Sequence, residues 1–335
     1  MITAKSTLRQ VPLWQRELAR AITDPAELLR VLELDPALLP AATAAAARFA
    51  LRVPRGFVAR MQRGDPADPL LRQVLPLEAE LAEMPGFIAD PVGEHAALAA
   101  PGLLHKYHGR ALLMVTAACA VHCRYCFRRE FPYAGQHSGA DHWSTALAYL
   151  RADPDIHEVI LSGGDPLSLS DRRLGEVLAE LARLPQLRRL RIHSRQPIVL
   201  PERVDDGLLT LLSGCPWPVV LVTHANHPQE IDAAVIAALR RLGAAGITLL
   251  NQAVLLRAVN DDAGTLATLN ETLFAAGVLP YYLHQLDRVR GAAHFEVNDI
   301  QASAIMETLR QRLPGYLVPR LVREQPGQPA KTPVA

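Results

Sequence analysis

The chain has 335 residues, of which 50% are apolar and 5% aromatic, and its formal net charge is +1. A chain of this length can bury a full hydrophobic core, and its near-neutral charge gives no reason to expect a nucleic-acid partner. The first residues lack the apolar run of a signal peptide, and no apolar stretch is long enough to cross a bilayer. We therefore expect a globular, cytoplasmic protein that binds no membrane.

Residues 1–100 are rich in alanine and leucine and predict a helical N-terminal region. A helix start is indicated by Asp24, followed by Pro25 and Glu27, because a capping side chain, a proline and an early acid favour the first turn. No set of catalytic residues stands out here. We expect this region to pack against the rest of the chain or against a second copy, which would make the protein a homo-oligomer.

Residues 101–312 form the predicted core, in which short β-rich runs alternate with amphipathic segments from residue 111 onward. Strands are predicted at 111–116, 158–161, 187–193, 219–223, 247–255 and 279–283. Helices are predicted at 141–151, 171–184, 202–213, 228–243, 262–276 and 299–312. Strand–helix units in series predict a parallel sheet with right-handed crossovers. The fold class is therefore α/β, with an incomplete (β/α)6 barrel as the main prediction and a doubly wound open sheet as the alternative.

Three of the four cysteines, Cys119, Cys123 and Cys126, fall close together after the first predicted strand. Their spacing lets all three thiolates face one point. Three cysteines would leave one iron of a 4Fe-4S cluster open to bind another molecule. A structural zinc site takes four ligands. We favour the cluster, and a zinc site completed by His122 or Cys215 is the alternative.

Polar residues also end or follow the other five predicted strands. Because the carboxyl ends of parallel strands share one edge of the barrel, we expect these residues to line one site. They are residues 162–165, 193–195, 223–224, 252 and 284–287. The arginines at 188, 189, 191 and 195 predict a solvated face at a strand end. The tail, residues 313–335, is rich in proline and glycine, and its composition alone predicts a frayed terminus with Lys331 at the surface.

From about residue 85 to the end, the sequence resembles the lysine 2,3-aminomutase family. These are radical S-adenosylmethionine (SAM) enzymes that also use pyridoxal phosphate (PLP). An ordered set of motifs carries the resemblance and is far more specific than any one of them. The matching stretches are residues 119–129, 161–166, 193–197, 223–228, 251–261, 280–287 and 315–331. The resemblance implies a radical-SAM barrel with a C-terminal PLP-binding segment at 313–335.

The resemblance is strongest to a short bacterial subgroup that serves the (R)-β-lysylation of elongation factor P. The longer, free-lysine members continue into a zinc-binding tail, whereas this chain stops four residues after Lys331. Asp262 stands where those members have a zinc-binding cysteine. We therefore expect no structural zinc.

The same resemblance implies roles for individual residues. Cys119, Cys123 and Cys126 would hold the cluster, and Lys331 would bind PLP as a Schiff base, with Arg110 in contact with PLP. Contact with SAM is implied, less certainly for the last two residues, for Gly163, Gly164, Asp165, His224 and Gln252.

For the substrate, the resemblance implies that Arg128 contacts the carboxylate and that Asp287 and Glu324 bind the ε-ammonium group. Glu324 stands where the free-lysine enzymes have aspartate, and His284 stands where they have tyrosine. These two departures affect the expected geometry of the substrate.

The implied activity is that of an isomerase that converts (S)-α-lysine to (R)-β-lysine after a low-potential donor has supplied an electron to the cluster. A separate ligase would attach the product to elongation factor P. One alternative is an aminomutase that acts on free lysine for another pathway or on another amino acid, although two acidic residues favour a cationic substrate over glutamate. A remote alternative is a zinc-bound interaction protein.

Overall fold

The computed structural model describes residues 11–133 and 142–334. In these residues one sheet of ten strands runs in chain order from the first strand to the last. The strands are β1 Leu98–Ala100, β2 Leu103–Tyr107, β3 Arg110–Thr116, β4 Glu158–Gly163, β5 Arg189–Ser194, β6 Val219–Thr223, β7 Thr248–Val254, β8 Leu279–His284, β9 Arg320–Arg323 and β10 Thr332–Pro333.

The helices of the described residues fall into an N-terminal group and a group that alternates with the strands. The first group is α1 Leu13–Ala19, α2 Pro25–Val31, α3 Leu39–Arg48, α4 Arg55–Val58 and α5 Pro69–Arg72. The second group is α6 His142–Ala152, α7 Asp171–Leu181, α8 Gln196–Val199, α9 Asp206–Ser213, α10 Ala233–Ala244, α11 Ala263–Ala275 and α12 Asp299–Arg312.

Strands β3 to β8 are the six predicted ones, and each pairs in parallel with the next. The order does not return to β1 among the described residues, so the sheet is an incomplete barrel. This confirms the predicted fold class. Strands β1 and β2 were not predicted, and they extend the sheet in antiparallel fashion beside β3.

Local sequence explains where the barrel helices begin. A side chain just before each of five helices accepts a hydrogen bond from a backbone N–H of the first turn, which stabilises the helix start. These residues are Ser170, Asp205, Asp232, Asp262 and Asn298. The apolar faces of the helices that follow bury leucines such as Leu174, Leu208 and Leu239 against the sheet. Asp262, which the resemblance placed opposite a zinc-binding cysteine of longer family members, therefore serves here as a helix cap.

The prediction of a frayed tail was wrong. Strand β9 pairs in parallel with β8, with Leu321 opposite Leu283, and β10 pairs with β9 in antiparallel fashion. Leu321 and Val322 are 5% and 3% exposed. The tail extends the sheet because these apolar residues cover an edge that would otherwise be unpaired.

The N-terminal helices form a second apolar core that includes Trp14, Phe57 and Leu71. We define the cysteine loop as residues 117–129. Two of its residues, Ala120 and Val121, pack into this core. This shared core joins the N-terminal region to the loop that follows β3. No helix in the described ranges has the length and apolar character needed to span a bilayer.

A buried carboxylate adds a second link between the two regions. Glu80 accepts hydrogen bonds from Nε and Nη2 of Arg124 at 2.9 and 2.6 Å and from Nη2 of Arg129 at 2.6 Å. Both guanidinium groups also lie over the ring of Phe49, 4.8 Å from its centroid. The side chains of Glu80, Arg124 and Arg129 are 1%, 0% and 4% exposed. Two arginines of the cysteine loop thus depend on one glutamate.

We predict that Glu80→Gln lowers the free energy of unfolding by about 3–5 kcal/mol, because it leaves two buried guanidinium charges without their carboxylate. Urea unfolding of the two proteins measures this difference. Glu78→Gln is the control, because Glu78 is exposed and lies two residues before Glu80 in the same short helical segment. Equal stability of the Glu80 variant and the control would contradict the prediction.

Candidate active site

A cavity of about 780 Å³ extends from the cysteine loop, at the carboxyl ends of the parallel strands, to residues at their amino ends, such as Glu158, and to the C-terminal tail. All the site residues predicted from the sequence line it. They are Cys119, Cys123, Cys126, Arg110, Arg128, Gly163, Gly164, Asp165, His224, Gln252, Asp287, Glu324 and Lys331. The structure therefore brings together the cysteine loop, the tail, and residues in or after β3, β4, β6, β7 and β8, and the roles expected of them remain predictions.

The three cysteines reach the cavity from the loop after β3, and none of them forms a disulfide. Burial raises the pKa of the Cys119 thiol well above its usual value and that of Cys126 to about 11. Among residues 11–133 and 142–334, no group of three histidine, cysteine or acidic side chains is placed to hold a single ion. As donors, three cysteine thiolates suit a 4Fe-4S cluster, which would take each of them on a different iron.

Two glycines allow the end of β4 to approach the cysteine loop. Gly163 has a φ of +111°, and a Cβ atom there would lie 2.6 Å from the carbonyl oxygen of Thr116. A Cβ atom on Gly164 would lie 2.5 Å from the carbonyl oxygen of Ala118. No larger residue fits either position without moving the backbone that leads to Cys119.

Asp165 fixes the ends of two strands relative to each other. Its carboxylate accepts hydrogen bonds from the Ser194 hydroxyl at 2.7 Å and from the backbone N–H groups of Leu167, Arg195 and Gln196. Burial raises the pKa of this carboxyl group, although these hydrogen bonds act in the opposite direction. In this structure Asp165 therefore bonds to the chain itself, next to the glycines.

Three histidines of the cavity wall have lowered pKa values; His284 is buried, and His193 and His224 are half-buried. Burial lowers the pKa of His224 to about 3, and it lowers those of His193 and His284 well below their usual value. The Nε2 atom of His224 lies 2.8 Å from the Gln252 amide nitrogen. The Nε2 atoms of His193 and His284 are buried and have no hydrogen-bond partner in the described part of the chain. Unpaired buried polar atoms in a cavity wall are what a bound ligand can satisfy.

Lys331 lies inside the cavity instead of at the surface. Its Nζ atom donates to Oε2 of Glu324 at 2.5 Å, and its side chain is 21% exposed. Glu324 also accepts a hydrogen bond from Lys106 at 3.0 Å. Burial alone would raise the pKa of Glu324, but the two lysines outweigh it and lower the pKa to about 2. Nearby, burial raises the pKa of Asp287 to about 7, with Glu324 adding to the rise and Lys331 opposing it.

Arg128 is bound by the chain's own residues. Its Nε and Nη2 atoms donate to the two oxygens of Glu94 at 2.8 and 2.6 Å. Its Nη1 atom donates to the Ser162 hydroxyl at 2.9 Å and to the Gly163 carbonyl at 3.2 Å. Glu94 was not predicted as a site residue, and it fixes the plane of the guanidinium group at the edge of the cavity.

The prediction of a solvated arginine face around β5 was wrong for Arg191 and Arg195, which line the cavity, and it holds for Arg189, whose side chain is 52% exposed. For Arg195, the expectation that residues 193–195 line one site agrees with the structure. Arg191 and His193 alternate along β5, so they face the same side of the sheet, and that alternation was the signal that could have found Arg191. Sequence reasoning also missed other residues of the cavity wall, among them Lys106, Tyr107, Tyr282 and Arg320.

The fold and the site together define a class of protein: an incomplete (β/α)6 barrel with a three-cysteine loop after the first of its parallel strands, which is the arrangement that the sequence resemblance implies for radical SAM enzymes. The chain matches no family model. It is 52% identical to the "L-lysine 2,3-aminomutase" of Escherichia coli (strain K12) over 96% of this chain and 94% of that one. It is 46% identical to the protein of the same name from Haemophilus influenzae, over 99% and 98% of the two chains. This chain belongs to the lysine 2,3-aminomutase family.

Two further matches are more distant in sequence. The "L-lysine 2,3-aminomutase" of Clostridium subterminale is 38% identical over 83% of this chain and 67% of its own length. Among solved structures, a radical SAM methyltransferase from Sphaerobacter thermophilus matches with a TM-score of 0.48 and 18% identity, over 66% of this chain and 68% of that one.

We predict that Asp287→Asn reduces the pH dependence of stability in the cofactor-free protein. The pKa of Asp287 rises from 3.8 to about 7 on folding. The protonated carboxyl group therefore stabilises the fold at low pH, and this contribution is lost as the pH rises through about 7. Between about pH 4 and pH 7 the wild type should lose up to ~1.4 kcal/mol per pH unit that the variant keeps.

Thermal unfolding of both proteins across this pH range measures the effect. Asp155→Asn is the control, because Asp155 is exposed. Parallel stability curves for wild type and Asp287→Asn would show that the prediction fails.

Proposed function

We propose that this chain is a radical SAM aminomutase that uses PLP to convert (S)-α-lysine to (R)-β-lysine. One observation carries the proposal: the tail brings Lys331 into the same cavity as the three cysteines. A site with a lysine for PLP at one end and a cysteine loop at the other suits this reaction, because two cofactors must meet one substrate.

The residues present fit the two cofactors of the radical step. Cys119, Cys123 and Cys126 would hold the 4Fe-4S cluster, and Gly163 and Gly164, which pack against the loop that carries these cysteines, line the cavity where SAM would bind. When bound, the cluster and SAM supply a radical that removes a hydrogen atom from the substrate, and PLP carries the migrating nitrogen. The unpaired Nε2 atoms of His193 and His284 could donate to or accept from these ligands.

Cationic side chains offer a site for the PLP phosphate. Arg191 and Arg320 lie close enough to Tyr282 to lower the pKa of its hydroxyl, which burial nevertheless raises to about 12. Arg110 lies in the same cavity, over the ring of Tyr107. Guanidinium groups bind phosphate with paired hydrogen bonds, so these arginines and Lys331 suit the two ends of PLP.

The contact between Lys331 and Glu324 indicates how a lysine substrate would be held. A primary ammonium group already sits on a buried carboxylate there. Once Lys331 is engaged with the cofactor, the ε-ammonium group of the substrate can take its place beside Glu324 and Asp287. Asp287, whose pKa is about 7, would ionise when that cation arrives. Arg128, fixed by Glu94, would face the substrate carboxylate.

The finer proposal is that the product supplies the β-lysyl modification of elongation factor P through a separate ligase. It is supported by the resemblance of the sequence to the short bacterial subgroup that serves this modification. It is also supported by Glu324 and His284, which depart from the pattern of the free-lysine enzymes. Synthesis of β-lysine for another pathway is the second candidate, because the same cavity would serve it.

The cofactors can be tested by analysis of iron, sulfide, zinc and PLP in protein purified without oxygen. We expect about four irons per chain and a visible absorbance from lysine-bound PLP. Lys331→Ala should lose that absorbance and keep its iron. Lys331→Arg is the matched control, because it keeps a cation beside Glu324 but forms no Schiff base. Zinc in place of iron would overturn the radical mechanism, and PLP binding that survives both substitutions would overturn the role of Lys331.

The substrate can be tested with loaded protein, SAM, a reductant and lysine, with chiral analysis of the product. Glu324→Gln should raise KM for lysine about tenfold or more, because a hydrogen bond to a charged group contributes about 1.5–3 kcal/mol. Glu307→Gln, at an exposed helix position, is the control.

The mass of elongation factor P in cells with and without this chain then separates the two candidates. A loss of the β-lysyl mass supports the modification pathway. Turnover of lysine with an unchanged mass of elongation factor P favours the other pathway, and no turnover of lysine contradicts the activity itself.

A further inference from the structure

Arg195 contacts one of the three cysteines directly. It follows the last residue of β5, its exposure is 5%, and its Nη1 atom donates a hydrogen bond to the sulfur of Cys123 at 2.8 Å. An arginine side chain keeps its positive charge at every pH at which the protein is folded. A fixed cation therefore lies against a sulfur atom of the cysteine loop.

The guanidinium group is held on its edges and on its faces. Its Nη2 atom donates to Gln73 at 2.6 Å and to Glu230 at 3.0 Å. Its central carbon lies 5.5 Å from the ring centroid of Phe57 and 5.6 Å from that of Tyr125. Glu230 and Gln73 are themselves fully buried. Residues of the N-terminal region, the cysteine loop and the segment after β6 thus fix one side chain.

The backbone of Arg195 is fixed as well, because its N–H donates to the Asp165 carboxylate at 2.8 Å. The Nε atom, in contrast, is buried and has no hydrogen-bond partner within residues 11–133 and 142–334. Since Arg195 lines the cavity, an unused charged donor remains beside the cysteines. A structural arginine with no further role would be expected to use this donor within the protein.

We propose that Arg195 is a positioning residue that acts through Cys123 to make the 4Fe-4S cluster easier to reduce. The proposal rests on the cluster of the proposed function. Hydrogen bonds to the sulfur atoms of a cluster help to set its reduction potential. A guanidinium charge at Cys123, rigidly held by Glu230 and Gln73, stabilises the reduced form because that form carries one more negative charge.

The step concerned is the transfer of one electron from an external low-potential donor to the oxidised cluster. No bond to Arg195 forms or breaks, and no proton leaves it. Only the free-energy difference between the two oxidation states of the cluster changes. The effect is therefore visible without any turnover of substrate.

The experiment is a redox titration of the loaded protein with dithionite, followed by electron paramagnetic resonance of the reduced cluster. In Arg195→Gln we expect the ratio of reduced to oxidised cluster at a fixed potential to fall tenfold or more, which is a shift of about 59 mV to lower potential for one electron. Arg195→Lys keeps a charge but not the paired contacts, so its midpoint should lie between those of wild type and Arg195→Gln.

Arg203→Gln is the matched control. Arg203 is also a fully buried arginine, paired with Asp171 and stacked on Trp14, but it does not line the cavity. Its substitution should leave the midpoint potential unchanged. Iron and sulfide contents are measured for every protein, so that a change of potential is separated from loss of the cluster.

An unchanged midpoint in a fully loaded Arg195→Gln protein would overturn the proposal. So would loss of iron from both Arg195 variants while Arg203→Gln keeps it, because Arg195 would then build the loop instead of tuning the cluster. A wild-type chain that binds no iron would instead refute the proposed function, and this inference with it.

Discussion

Buried glutamates that pair with arginines hold the cysteine loop between the N-terminal region and the barrel, and the site depends on them. An unpaired buried charge costs several kcal/mol, so each pair has to form for the loop to reach its place. The pairs are Glu80 with Arg124 and Arg129, Glu94 with Arg128, and Glu230 with Arg195. Two of these glutamates come from the N-terminal region. The N-terminal region therefore helps to hold the three cysteines at the carboxyl ends of the strands.

At the opposite end of the cavity, two lysines and two carboxyl groups lie close enough to shift the pKa values of the carboxyl groups. Glu324 lies between Lys106 and Lys331, and the two cations keep it ionised although it is largely buried. The same two lysines also lower the pKa of Asp287, but burial outweighs them and raises it to about 7. The two carboxyl groups thus differ in pKa before any ligand binds. A further cation would favour the ionised form of Asp287, which suits the recognition of a diamino acid.

The sequence predicted the barrel well because its signal is local. The first parallel strand was expected at 111–116 and is Arg110–Thr116, since buried apolar runs are bounded by polar residues. The pairing of Glu80 with Arg124 could not be predicted, because 44 residues separate them and each looks like an ordinary surface charge. The strand-end argument placed residues such as 163–165, 195, 224, 252 and 287 in one site, but Arg110, Glu324 and Lys331 were found only through the resemblance. Composition alone placed Lys331 at the surface.

The position of Lys331 shows why composition alone could not predict the structure of the tail. Its position depends on strand β10, which pairs with β9, which in turn pairs with the edge of β8. The β8–β9 pairing joins distant parts of the chain, and the tail has too few apolar residues to predict a strand by itself. Because Glu324 immediately follows β9 and Lys331 immediately precedes β10, any change that releases the β9–β10 pair from the sheet also withdraws both side chains from the cavity. Completion of the sheet and assembly of the site are therefore one event.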